Sequence, residues 1–151
     1  MKYALNARKG ALFSASLITA VLVVAASSAR ADEKVGVTLA DKGMESMRVE
    51  LSATEIRTGK VTFHVTNNSQ NLVHEFVVGK SDKPIESLPY NEQETQLKED
   101  AFEVVSEIED IEPGKSGMLT VNLEPGSYIL FCNKMGHFKA GMVNHLTVVK
   151  R

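Results

Sequence analysis

The chain has one cysteine, four prolines and aromatics at only 6% of its 151 residues, and it carries no internal repeat or low-complexity tract. With a single thiol no internal disulfide can form, so disulfides cannot be what holds a small fold together. An excess of positive charge is missing as well: 17 Lys and Arg face 19 Asp and Glu. Nucleic acid and anionic membrane surfaces would both repel such a chain, which excludes them as partners. The longest apolar run, Ala11 to Ala26, falls short of the ~20 residues a spanning helix needs.

That run reads instead as the middle of an export signal. Lys2, Arg8 and Lys9 give it a positive start, and Ala29-Arg30-Ala31 supplies the small-x-small pattern that precedes cleavage. Residues 1–31 are therefore expected to be removed after Ala31, sending residues 32–151 to the periplasm as one domain. Arg8-Lys9 is not a twin arginine, and no cysteine near the cut offers a lipid anchor. The remaining part keeps 13 basic residues against 19 acidic ones, a net charge of −6 that favours a basic protein partner. Its 120 residues suit one domain with one core.

Within 32–151, short runs of alternating apolar and polar residues recur between Gly, Pro, Asn and Ser, which is the pattern of an all-β sandwich. Val35, Val37 and Leu39 alternate first, then Met47, Val49 and Leu51, then Val61, Phe63 and Val65. The Asn67 to Asn71 turn leads to a strand around Val73 to Val78, and Leu119, Val121 and Leu123 run into the Pro125-Gly126 turn. Tyr128 to Phe131 and Val143 to Val149 are the last two strands. Between the Val73 to Val78 strand and the Leu119 to Leu123 strand, residues 85–105 read as a short helical or irregular excursion, with Leu97, Ala101, Val104 and Val105 on one helical face. Ile108 and Ile111 start a further strand.

The chemistry gathers in Tyr128 to Met142. A strand ends at Cys132, and a loop then offers His137 and Met142 at equal steps, with four residues between each donor and the next. Gly136 and Gly141 stand just before His137 and Met142, where free backbone dihedrals can turn each side chain inward. Thiolate, imidazole and thioether suit a soft to borderline metal. Two histidines and a cysteine with a weak methionine form the set used for electron-transfer copper. His74, at the start of a strand after the Asn-rich turn, supplies the second histidine.

The stretch Asn67 to Phe76, with a phenylalanine two residues past the histidine, and the stretch Tyr128 to Met142 resemble the cupredoxin family of type 1 copper proteins. The spacing is more similar to that of rusticyanin and sulfocyanin than to that of plastocyanin. The resemblance implies a Greek-key β-sandwich, one copper ion per chain cycling between Cu(I) and Cu(II), His74, Cys132 and His137 as equatorial ligands, and Met142 as the axial one. It also implies an electron carrier serving a redox protein such as a cytochrome or an oxidase, monomeric and without enzymatic activity. Glu75 departs from the family, many members of which have Asn directly after the first histidine. A carboxylate there can accept the same backbone N–H groups while adding negative charge near the metal.

Rival readings attach to several of these residues. Copper sequestration or delivery in copper resistance would use the same four ligands. A Cys132–His137 nucleophile and base would have no use for a thioether, zinc rarely recruits methionine, and size and ligand count exclude a multicopper oxidase. His64 and His145 fall at outward positions of their strands, opposite Phe63 and Val65 and opposite Leu146 and Val148. Met47 fits the core alternation, Met44 is either exposed or a cap on the site, and Met135 with Phe138 forms an apolar collar around His137. Phe131 and Tyr128 are expected to pack beneath that histidine.

Overall fold

The computed structural model describes residues 32–150; the expected export signal lies outside the described residues. No described helix is long and apolar enough to cross a membrane. Eleven strands follow in order: β1 (Glu33–Asp41), β2 (Met47–Leu51), β3 (Glu55–Arg57), β4 (Gly59–Asn67), β5 (His74–Lys80), β6 (Tyr90–Asn91), β7 (Gln96–Leu97), β8 (Glu103–Ile111), β9 (Ser116–Leu123), β10 (Gly126–Phe131) and β11 (Val143–Val149). They form a four-stranded sheet, β2-β1-β4-β9, a five-stranded sheet, β3-β11-β10-β5-β8, and the small β6-β7 pair. The chain changes sheets from β2 to β3, from β3 to β4, from β4 to β5, from β8 to β9 and from β9 to β10, the connections of a Greek-key sandwich.

Alternation decides which side chains lie between the sheets. Val35, Val37 and Leu39 of β1 and Val61, Phe63 and Val65 of β4 are essentially inaccessible, and they meet Phe76, Val78, Leu130 and Leu146 of the facing sheet. Burying each large aliphatic side chain contributes about 1.5–3 kcal/mol, so this face sets the strand register. Phe63 and Phe76 pack with ring centroids 5.3 Å apart. The strand that leads into Cys132 and the strand beginning with His74 are thereby fixed side by side, with Phe131 paired to Val77.

Residues 85–105 form no α-helix. Two single 3₁₀ turns (Ile85–Ser87 and Glu99–Ala101) flank the β6-β7 hairpin, whose tip is held by the N–H groups of Gln93 and Glu94 donating to the Asn91 side chain. Strand β8 begins at Glu103, earlier than Ile108, because Val104 finds a ladder partner in Gly79 of β5. Tertiary pairing overrides the helical propensity of this segment. Its apolar residues cover the outer face of the five-stranded sheet, where Leu88 and Leu97 join Val77, Ile129, Phe131 and Phe138 in a second core. The short strand β3, parallel to β11, went unread because three residues carry too little alternation.

Candidate metal centre

The loop after β10 is folded by its own backbone. Cys132 N–H donates to the Met142 carbonyl at 3.1 Å, Met142 N–H to the His137 carbonyl at 3.0 Å, and His137 N–H to the Lys134 carbonyl at 2.9 Å. Gly141 has φ +103°, and a Cβ there would lie 2.6 Å from the Met47 carbonyl oxygen. Only glycine allows this approach, through which Met47 N–H reaches the Ala140 carbonyl at 2.8 Å and docks the loop on β2.

His74 comes from the opposite direction. The buried Asn67 side chain donates to the carbonyls of Leu72 and Ile111, each at 2.8 Å, and accepts Ser69 N–H, so the turn before β5 is tied down on both sides. His74, Cys132 and Met142 are completely buried, and His137 retains 6% exposure. Nδ1 of His74 and Nδ1 of His137 are 3.1 Å apart, Sγ of Cys132 is 3.3 Å from the latter, and all three donor atoms lie within 4.8 Å of one another. Atoms so spaced can share one ion at ordinary metal–ligand bond lengths of ~2.0–2.3 Å. Met142 is buried in the same core cluster as Cys132.

Burial, the dominant influence, pushes the Cys132 thiol up to about 11, although the backbone N–H groups of Glu75 (3.4 Å) and Lys134 donate to the sulfur and oppose the rise. Burial also lowers His137, to about 4, with His74 and Lys134 adding repulsion. At neutral pH the metal-free cluster is therefore a thiol beside a neutral His137. A cation that binds as a thiolate complex must displace the thiol proton.

Two residues outside the expected ligand set organise it. Asp41, at the end of β1, places Oδ2 3.1 Å from His74 Nε2, and its other oxygen accepts Gly43 N–H at 2.9 Å. Burial tends to raise this carboxyl, yet hydrogen bonds from Ser69, His74 and Gly43 outweigh it and hold the group below its ordinary value. Asn133 is the second. Its N–H donates to Glu75 Oε1 at 2.6 Å, its side chain exchanges hydrogen bonds with the Leu97 backbone and reaches Glu99, and its carbonyl accepts from Gln96. Neither was read from the sequence. Asp41-Lys42-Gly43 resembles any turn, and the partners of Asn133 lie 34 to 58 positions away.

Glu75 accepts a backbone N–H, as expected of a carboxylate in that place. Burial, the largest influence, raises its pKa above the ordinary carboxylate value, while the Asn133 N–H and Lys134 pull the other way. His64 and His145 face solvent. The collar around His137 differs from expectation: Phe138 is 8% exposed and turned onto Phe131, with the rings 6.3 Å apart and perpendicular. The exposed apolar groups on that side are Met135 and Met44, whose methyl carbon would lie 3.1 Å from a Gly136 Cβ. Tyr128 is not beneath His137 either. It sits at the other end of β10, opposite Lys80 and Leu146, with its hydroxyl donating to the Glu124 carbonyl.

A two-sheet sandwich with a nitrogen–sulfur donor cluster between an early strand and a late loop defines the class. The chain belongs to the cupredoxin-like domain family, whose model matches residues 13–144. Among solved structures it is similar to rusticyanin from Thiobacillus ferrooxidans, at 18% identity and TM-score 0.60 over 78% of this chain and 77% of that one. It is also similar to dithionite-reduced auracyanin from Roseiflexus castenholzii, at 20% identity and TM-score 0.55 over 78% and 96%. A further structure of the copper protein rusticyanin is 22% identical, with TM-score 0.58 over 78% of each chain. No curated protein matches.

Proposed function

We propose that this chain is a periplasmic electron carrier that holds one copper ion through His74, Cys132, His137 and Met142. The observation that carries the reading is the buried His74–Cys132–His137 cluster, all of whose donor atoms lie within 4.8 Å. Its donors fit copper better than zinc, since a thioether is buried in the same core. Copper bound there supplies reversible one-electron chemistry. The chain's own part is to keep the donors in one arrangement: β5 and β10 are hydrogen-bonded neighbours, and the loop is closed by its own backbone bonds.

Burial of three of the four residues favours an electron carrier over a protein that sequesters or delivers copper, because release would require opening the core. His137, the least enclosed of the four, offers the route to a redox partner, flanked by Met44 and Met135. Support also comes from relatives: rusticyanin is described as a copper protein, and auracyanin was solved in a dithionite-reduced state.

The test is an absorption spectrum and voltammogram of residues 32–151 loaded with Cu(II). An intense visible thiolate-to-copper band, absent in Cys132→Ala, with reversible one-electron cycling, is expected. The absence of a band, or a band that survives in that variant, overturns the copper assignment. A band without reversible cycling, together with ready loss of copper to a chelator, moves the reading to copper handling.

A further inference from the structure

We propose that Asp41 is a positioning residue for this centre: accepting the Nε2–H of His74, it fixes the imidazole in the tautomer whose bare Nδ1 faces Cys132 and His137, and sets a fixed negative charge behind it. The inference rests on the copper reading given above. It deepens that reading by adding a residue that acts on the centre through its hydrogen bond to His74.

The geometry is specific. Asp41 Oδ2 lies 3.1 Å from one ring nitrogen of His74, and His137 Nδ1 lies 3.1 Å from the other, so the ring bridges the carboxylate and the donor cluster. A neutral imidazole carries one N–H, and an ionised carboxylate can only accept. The proton therefore belongs on Nε2, and Nδ1 presents its lone pair to the cluster. The carboxylate is itself held: Gly43 N–H donates to Oδ1 at 2.9 Å, and the Ser69 hydroxyl is a further donor. Ser69 is fixed in turn by accepting Leu72 N–H at 3.0 Å, in the turn that leads to His74.

Burial makes this contact matter. The side chains of His74 and Asp41 are 0% and 5% exposed, so an unpartnered Nε2–H would be stranded away from water. Beyond Asp41 lies a polar cavity of about 440 Å³ lined also by Lys42, Asn68 and Asn71, which places the carboxylate between His74 and solvent. Outer partners of this kind orient a ligating histidine and raise its basicity. A negative charge behind the ligand also favours the more highly charged ion.

Two measurements test the assignment. Long-range proton–nitrogen correlation spectra of the ¹⁵N-labelled, metal-free protein are expected to show His74 protonated on Nε2 in the wild type and a mixture of tautomers in Asp41→Ala. In the copper-loaded protein, Asp41→Ala is expected to weaken copper binding by about 10–100-fold in a chelator competition. Asp41→Asn, which keeps a carbonyl oxygen, is expected to weaken it less, and both variants should have a higher potential. Wild-type His74 protonated on Nδ1 overturns the proposal, as does an unchanged tautomer with copper affinity within about twofold of wild type in the variants. Asp41→Asn decides if the alanine variant fails to fold. If wild type takes up no copper, the copper reading fails, and the tautomer comparison still decides the role of Asp41.

Discussion

Cys132, His137 and Met142 come from eleven consecutive residues whose backbone folds on itself, whereas His74 is held by Asn67, Ile111 and Asp41, drawn from three other strands. The loop side is local: the backbone hydrogen bonds that close it on itself span ten residues or fewer, and its turns depend on glycine. The sheet side is long-range and buried, and depends on polar side chains that meet only after the sandwich has formed. A change in the loop should therefore act mainly on the metal, and a change around His74 on metal and fold together.

The largest effect expected on the loop side is proton competition. The Cys132 thiol is pushed up to about 11 and His137 is lowered to about 4. Binding as thiolate releases one proton, so apparent copper affinity should rise about tenfold per pH unit, roughly a thousandfold from pH 6 to pH 9. Below about pH 4 His137 competes as well and the dependence steepens. For the metal-free fold the signs are separate. A thiol raised from its ordinary 9.0 holds its proton longer when folded, so stability is lost as pH rises from about 9 toward 11. A histidine lowered from 6.5 contributes stability above that pH, which is lost as pH falls toward 4. Competition titrations against a chelator and urea melts across pH check both.

Removing the two imidazoles should separate the two sides directly. His74→Ala leaves a cavity and strips Asp41 of a partner, at a cost to the metal-free protein of about 2–4 kcal/mol. His137→Ala, next to solvent, should cost about 1 kcal/mol or less. Equal losses in urea unfolding would mean that the histidines are held alike.

The glycines of the loop sharpen the same contrast at smaller scale. Gly141→Ala forces a Cβ to 2.6 Å from the rigid Met47 carbonyl at φ +103°, whereas a Cβ at Gly136 meets only the end of the flexible Met44. The first should cost about 2 kcal/mol or more and the second about 1 kcal/mol, mostly for its φ of +80°. Melting temperatures should rank Gly141→Ala below Gly136→Ala, and both below wild type.

The same division explains what could be read from the chain alone. Alternation in β1, β2 and β4 comes from period-two burial, and it is visible wherever a strand has one buried face. The Cys132, His137 and Met142 spacing is local and equally visible. The 85–105 excursion was visible as an interruption of the alternation, but its inner form was not, because Glu92 to Val105 has helix-forming residues while its actual structure depends on Asn133, Gly79 and the outer face of the second sheet. Asp41 escaped notice for the same reason: its meaning lies in a histidine 33 residues away. The surroundings of His137 were misjudged because a loop phenylalanine can turn inward, and spacing does not say which way.

Glu75 lies on the boundary between the two sides and gives the smallest and most informative effect. It follows His74 in β5, its N–H donates to Cys132 Sγ at 3.4 Å, and its carboxylate accepts Asn133 N–H at 2.6 Å, so it joins the strand to the loop. Glu75→Gln keeps an oxygen for Asn133 but removes the charge, and the visible band should persist. Loss of a negative charge beside the metal disfavours Cu(II), so the potential should rise, by about 59 mV for each decade in the ratio of Cu(I) to Cu(II) affinity. Lys134, 3.9 Å from Glu75 and 2.7 Å from Asp110, partly offsets the carboxylate, which should hold the change near one decade. Glu75→Ala removes both charge and tie, and should raise the potential while broadening the band as the loop loosens. If Gln and Ala behave alike by voltammetry and absorption, the carboxylate acts by charge alone and the two sides are joined elsewhere.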